Sequence, residues 1–296
     1  MRSTPTSARF ARDAATVRPG DGPYPVRLVR LADPPPALRL LGALRGGPAA
    51  AIVGSRTPDG YGRDLAREIA AGLARAGVSV VSGGALGIDG EAHKGALEAG
   101  GHTAAVLGTG IDVPYPAGHR GLFEAIVGAG GALLTEQPDG TAAFPANFPR
   151  RNRLVAALVD AVVVVQARPG SGALITSGFA GRLGVPLLAC PGDVRDDLTA
   201  GPLALLRAGA APVADAGDVL RVLGIAAPAA PAQLPLPALG GEEGALLGAL
   251  SKKPRHVDEV ARATGLSAGA ALAGLLALEL RGLVEQRPGG HFLTRA

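Results

Sequence analysis

AAAIVGSRTPDGYGRDLAREIAAGLARAGVSVVSGGALG, residues 49–87, reads as strand, helix and strand, each strand running into a Gly-rich turn. AAAIV (49–53) and VSVVS (78–82) do not alternate apolar with polar residues, so both faces of each strand are to be covered, and a helical pattern at about 61–76 separates them. Fully covered strands separated by helices indicate a parallel sheet. The same rhythm continues with TAAVL (103–107), ALL (132–134), AVVVVQ (161–166), VPLLAC (185–190) and APVA (211–214). Helical patterns fall between them at about 88–99, 118–129, 152–158, 172–183, 202–208 and 215–223. The expected fold over 49–224 is α/β, a Rossmann-like, doubly wound and mostly parallel sheet.

Outward from this body, residues 1–20 read as a flexible tail and 21–48 as an arm packed on the body, with its apolar residues inside a Pro cluster. Residues 225–240 form an uncharged Ala/Pro-rich stretch, expected to be a semi-rigid linker. Residues 241–296 show three helical patterns and two short strands around Pro288-Gly289-Gly290, the order of a winged helix. The 45 Gly and 25 Pro warn of low complexity, but 47% apolar residues and a mean hydropathy of +0.27 require a folded core. A single Cys190 excludes a disulfide framework and a multi-Cys metal site and fits a reducing compartment. With no apolar leader and no run long enough to span a bilayer, the expectation is a cytoplasmic protein without membrane contact. The pI of about 9.7 invites a nucleic-acid reading. The basic excess, however, lies in residues 1–48, and the body is slightly acidic, so any anion site must be local.

Four Gly-rich turns should share one edge of the sheet, where strand carboxyl ends and helix N-termini meet anions: Gly54-Ser55-Arg56, Ser82-Gly83-Gly84-Ala85-Leu86-Gly87, Gly108-Thr109-Gly110 and Gly170-Ser171-Gly172. The standard nucleotide signatures fail. The body's only lysine, Lys94, is outside any P-loop context, and Val113 and Ile175 stand where a dinucleotide fingerprint needs its third glycine. No metal or cofactor site is expected. The densest positive cluster is Phe144-Pro145-Ala146-Asn147-Phe148-Pro149-Arg150-Arg151-Asn152-Arg153, placed at a helix start. Arginine forks suit phosphates and an exposed Phe stacks on bases, which favours a single strand over a duplex. The alternative is that Phe148 plugs the core and the arginines form a solvated first turn. Arginines there would oppose the helix dipole and call for a bound anion or a buried acidic partner. Asp89 reads as a first-turn or capping group, His93 as a packed core residue, Asp112 as closing a turn near Pro114 and Pro116, and Glu136 as a candidate to face the rim.

The ordered set GSRTPDGYG, SGGALGIDGEAH, AVLGTGIDVPYP, FPRRNR and SGALIT closely resembles the DNA-processing protein A family (DprA, also called Smf) over about residues 20–224, and the tail from 240 resembles the winged helix that many members carry. The resemblance implies a bacterial, non-enzymatic protein that binds single-stranded DNA in a basic pocket of the Rossmann-like domain. It also implies a homodimer formed through that domain, and help in loading the RecA recombinase during natural transformation. Carried over residue by residue, it implies that Arg56 contacts phosphate, that the Ser82, Gly83, Gly84 and Gly87 turn approaches the strand, and that Phe148, Arg150, Arg151, Asn152 and Arg153 form a stacking, basic wall. Ser171, Gly172 and Thr176 would complete the rim. Gln166 replaces a usual Glu, and Thr199-Ala200-Gly201-Pro202-Leu203 lacks the usual Asn of a Ser-x-Gly-x-Asn element.

An enzymatic alternative is a nucleotide phosphoribohydrolase of the same Rossmann variant, whose P-G-G-x-G-T-x-x-E turn carries a catalytic Glu. The equivalent turn here begins at Pro169, and Ser177 holds the Glu position. The third helix of the tail, at 267–281, has no basic residue before Arg281, so a packing or protein-contact role is expected of it and not duplex reading.

Overall fold

The computed structural model describes residues 6–226 and 241–294, in two compact units that divide between Pro228 and Ala229. The first unit opens with helix α1 (Thr6–Asp13) and strands β1 (Ala15–Val17), β2 (Leu38–Gly42) and β3 (Ala49–Val53). Helix and strand then alternate: α2 (Gly60–Arg75), β4 (Ser79–Ser82), α3 (Ile88–Glu98), β5 (Thr103–Val106), α4 (Arg120–Gly128), β6 (Ala132–Thr135), α5 (Asn147–Ala157) and β7 (Ala161–Val164). The unit closes with α6 (Gly172–Leu183), β8 (Leu187–Ala189), α7 (Asp197–Arg207), β9 (Ala211–Pro212) and α8 (Ala216–Val222).

The nine described strands of the first unit form one sheet in the order β1-β2-β6-β5-β4-β3-β7-β8-β9. All pairings from β6 to β9 are parallel. Every residue of β3, β4, β5, β6 and β7 is buried, which is why these strands read as apolar throughout. One face packs on α5 and α6 through residues such as Leu154, Val155 and Ala180; the other packs on α2, α3 and α8 through Ile69, Leu73, Ala92 and Val219. The chain runs outward from β3 to β6 and then returns to set β7 beside β3. Strand order therefore reverses between β3 and β7, and a crevice opens there at the carboxyl ends.

The N-terminal segments depart from expectation. Residues 6–17 are not a flexible tail: Phe10 of α1, Val17 of β1 and Ala14 between them are buried, and β1 pairs antiparallel with β2. Residues 21–48 do more than pack on the body, because β2 pairs antiparallel with β6 and extends the sheet. The basic residues that look unattached in the sequence are pins. Arg39 donates to the carbonyls of Ala11 (2.6 Å) and Ala14 (2.9 Å) and pairs with Asp139 (2.9 Å). Arg27 donates to the carbonyl of Leu158, and Arg30 donates to those of Ala157 and Val159; the last turn of α5 thus finds partners for its free carbonyls. Helix α5 begins at Asn147, five residues earlier than expected, with Pro149 tolerated in its first turn. The expected linker, from residue 227 on, lies outside the described residues.

The second unit contains α9 (Gly241–Gly248), β10 (Arg255–His256), α10 (Val257–Thr264), α11 (Ala268–Leu280), β11 (Val284–Arg287) and β12 (His291–Thr294). Its strands pair in the order β10-β12-β11 around a core of Leu246, Val260, Leu275, Leu278, Val284 and Phe292, the arrangement of a winged helix. The sequence reading contains the helices and the hairpin but not the two-residue β10.

Replacing Phe10 with Ala empties a buried site and is expected to destabilise the first unit by about 3 kcal/mol, measured by urea denaturation. An unchanged midpoint would return residues 1–20 to the status of a tail.

Candidate functional site

A cavity of about 410 Å³ occupies the crossover between β3 and β7. Its floor is the turn after β4. Asp89, in the first turn of α3, accepts from the N–H groups of Gly83 (3.1 Å) and Ala85 (3.3 Å). From the opposite side the Arg151 guanidinium donates to the carbonyl oxygens of Gly83 and Val106. A Cβ on Gly83 would stand 2.5 Å from Arg151 Nη2 and 2.7 Å from Asp89 Oδ2, so any side chain there would displace both groups. Burial raises the pKa of Asp89, with Arg151 opposing the shift. Burial lowers Arg151 to about 10, against the stabilising charge of Asp89.

One wall is aromatic. Phe148, on the first turn of α5, lies 5.3 Å from the Tyr115 ring, and the Arg56 guanidinium sits 5.5 Å from its centroid. Phe148 rests on Gly108, where a Cβ would come within 2.8 Å of the ring. Arg56 is exposed and has no carboxylate partner among the described residues. The opposite wall is the N-terminus of α6. Ser171 caps it by accepting from Ala173 N–H (3.3 Å), and Gly172 and Thr176 line the cavity. Asn152 donates to Gly172 O at 2.9 Å and so ties the two walls together.

Of the residues singled out from sequence, Arg56, Gly83, Phe148, Arg151, Asn152, Ser171, Gly172 and Thr176 converge on this cavity. Ser82, Gly84, Gly87, Arg150 and Arg153 are not among its lining residues. Ser82 donates its hydroxyl to Ile52 O and is fully buried. Gly87 adopts φ +76°, and a Cβ there would lie 2.3 Å from Ser55 O; it shapes the turn from behind. The three arginines of one helix take three directions. Arg153 is buried against Glu136 (2.6 Å) with Asp33 at 3.4 Å, Arg151 is buried under the floor, and Arg150 keeps 65% of its side chain exposed. For Arg153 the fold supplies the acidic partner Glu136, and for Arg151 it supplies the backbone oxygens of Gly83 and Val106 with the charge of Asp89 nearby; neither forms a solvated first turn. Glu136 accordingly turns inward, away from the rim.

Tyr115 lines the cavity and was not singled out from sequence, although it is one of only three tyrosines and follows the Gly108-Thr109-Gly110 turn in VPYP. Asp89 is the one carboxylate among the lining residues. Ser177, at the position where an enzyme of this variant would carry Glu, donates to Leu174 O inside α6. Gln166 is buried; its Nε2 donates to Asp59 Oδ1 (2.9 Å) and its Oε1 accepts from Asp59 N–H (3.3 Å), so the amide serves both sides of the α2 cap where a second carboxylate would face Asp59. Asp112 accepts from Gly140 N–H (2.8 Å) and joins two loops instead of closing its own turn. His93 is fully buried, with Nδ1 2.7 Å from Thr103 Oγ1.

The family model described as DNA recombination-mediator protein A matches residues 15–224, and one described as the DprA winged helix domain matches 227–290. A putative DNA processing protein DprA of Mycobacterium tuberculosis is 43% identical over 263 residues, covering 84% of this chain and 65% of that protein; the chain therefore spans less than two thirds of the relative's length. The crystal structure of DNA processing protein A from Streptococcus pneumoniae superposes with a TM-score of 0.67 at 35% identity, over 72% of this chain and 76% of that one. A Helicobacter pylori DNA processing protein A, described for its single-stranded DNA binding mode, gives 0.64 at 29% identity over 71% and 95%.

Arg151→Ala strands Asp89 in the interior and is expected to cost about 3–5 kcal/mol in urea denaturation, whereas Arg150→Ala, at an exposed site, should change stability by less than about 0.5 kcal/mol. Equal effects would contradict the assignment of one arginine to the floor and the other to the surface. Burial, then the charges of His119 and Arg151, holds the folded-state pKa of His93 down at about 3 from 6.5. The native state then binds fewer protons, so the contribution of His93 is complete above pH 6.5 and is lost as pH falls toward 3. A His93→Gln variant should show a flatter loss of melting temperature between pH 6.5 and 4.5 than the parent; parallel curves would contradict the burial of a neutral imidazole.

Proposed function

Because the chain belongs to the DNA recombination-mediator protein A family, we propose that its crossover cavity binds single-stranded DNA without reading sequence. The observation that carries this reading is the juxtaposition of Phe148 and Tyr115, both partly open to solvent, with the free guanidinium of Arg56, opposite the N-terminus of α6. Rings stack on any base, while Arg56 and the helix N-terminus meet phosphate. A recess of about 410 Å³ takes nucleotides whose bases are splayed out, not a paired duplex. The clamped Gly83 turn lets a backbone approach closely without having to reorganise. A phosphoribohydrolase activity finds less support: Ser177 supplies no acid, and the carboxylate of Asp89 is engaged by two amides.

The cellular reading follows the family resemblance. The protein works in the cytoplasm as a homodimer formed through the sheet domain, protects incoming strands, and passes them to the RecA recombinase during natural transformation, without catalysing a reaction of its own. The winged helix contributes protein contacts instead of reading duplex DNA, since α11 offers no basic side chain along its length.

Phe148→Ala is expected to weaken oligo-dT binding by about 1–3 kcal/mol, the usual worth of one base stack. Arg56→Ala should flatten the dependence of log K on log salt by about 0.7. Fluorescence anisotropy of labelled dT against duplex, across a salt series, reads both. Removing residues 241–296 should leave dT affinity within a few fold. Full affinity in the Phe148→Ala and Arg56→Ala variants would contradict the cavity as the binding site.

A further inference from the structure

We propose that the outward face of α11 is a self-association surface that receives the same face of a second copy of this chain, in antiparallel orientation, when chains lie side by side on one strand. The setting on a strand rests on the single-strand reading above; the contact itself does not.

Helix α11 buries Ala271, Leu275 and Leu278 in the core of the second unit. Its other side is equally apolar. Leu272 and Leu276 remain 38% and 39% exposed and Leu280 91%. The spacing of four places them in one row, with the exposed Gly269 and Ala273 beside them. Not one charged residue occurs from Ala268 to Leu278, although a helix facing water normally carries its charges on that side. Scattered exposed leucines need no explanation, but a continuous row on an uncharged helix does. DNA is a poor occupant, since this is the helix a winged helix would lay in a groove and it presents neither cation nor amide.

A second copy fits in shape and in charge. Leucines alternating with Gly and Ala offer knobs and holes on one surface, and a two-fold axis sets the knobs of each copy over the holes of the other. The C-terminal end of α11 carries Glu279 and the last carbonyls, while Arg281 there is neutralised by Glu243 at 2.7 Å. The N-terminal end offers helix amides, and Arg262, in the last turn of the preceding helix, has no carboxylate partner among the described residues. Antiparallel packing brings the negative end of one copy to the positive end of the other; parallel packing would oppose like ends. Eight residues of helix span about 12 Å, so the row falls well short of the roughly 800 Å² per partner of a standard interface. Such a contact holds only chains already concentrated, as neighbours on one strand are.

The test uses the full chain. A Leu276→Glu, Leu280→Glu double variant changes exposed side chains only, and unchanged circular dichroism verifies its fold. On a dT oligomer too short to seat a second homodimer, its half-saturation should match the parent within twofold. On a long dT tract, half-saturation should rise at least fivefold and the binding curve should lose its steepness. Independently of DNA, an Ala273→Cys variant under mild oxidation at high concentration should give intermolecular cross-links in excess over a Lys252→Cys variant. Long-tract binding that stays equally steep in the glutamate variant, or no excess cross-linking from Ala273→Cys, would overturn the proposal. Failure of both parent and variant to bind the short oligomer would count against the single-strand reading, while the cross-linking comparison would still decide the contact.

Discussion

The Gly83 backbone is gripped from both sides: its N–H is held by the buried carboxylate of Asp89 and its carbonyl by the buried guanidinium of Arg151. Most of the cavity depends on this grip. Arg151 also reaches Val106 O, so α5 is locked against the carboxyl ends of β4 and β5. That lock brings Phe148 over Gly108, and the neighbouring Asn152 fixes the first residue of α6. Two charges of opposite sign taken out of water are costly singly and tolerable together. The pair is therefore better understood as holding a preformed recess than as a source of net stability.

The distribution of arginine explains why a basic chain has so local a site. Arg27, Arg30 and Arg39 are spent on backbone carbonyls and on Asp160 and Asp139, so the positive N-terminal segment fastens the edge of the sheet. Arg151 is consumed by backbone oxygens and Arg153 by Glu136. Arg56 and Arg150 remain available to solvent near the cavity mouth. Affinity for a polyanion would then rest on a few side chains and helix amides, not on a broad potential.

The parallel sheet was legible because strands buried on both faces must be apolar throughout, and because Gly-rich turns punctuate their carboxyl ends. Helices of the winged unit were legible from periodicity, and its hairpin from Pro288-Gly289-Gly290. Helix α1 and strands β1 and β2 were hidden, since elements of three to eight residues carry little pattern and depend on Arg39, whose partners lie up to 100 residues away. The same limit applies at the site. A cluster of Arg and Phe marked the right helix, but 100° of rotation per residue turns Arg151 to the Gly83 and Val106 oxygens beside Asp89, Arg153 inward to Glu136, and Arg150 mostly to water with Glu136 at 3.8 Å. Those carboxylates come from β-α turns that only the folded sheet brings near. Tyr115 was missed for a related reason: one aromatic in a Pro-flanked loop has no partner in sequence, and it meets Phe148 only because the adjacent strands β5 and β6 bring the segments that follow them together.

Ultraviolet cross-linking of a halogenated single strand to the full chain, followed by identification of the linked residues by mass spectrometry, tests the central claim most directly. Cross-links are expected at Phe148 and Tyr115, abolished by competing dT and not by duplex. Cross-links confined to the N-terminal segment or to residues 241–296, with Phe148 and Tyr115 unmodified, would contradict it.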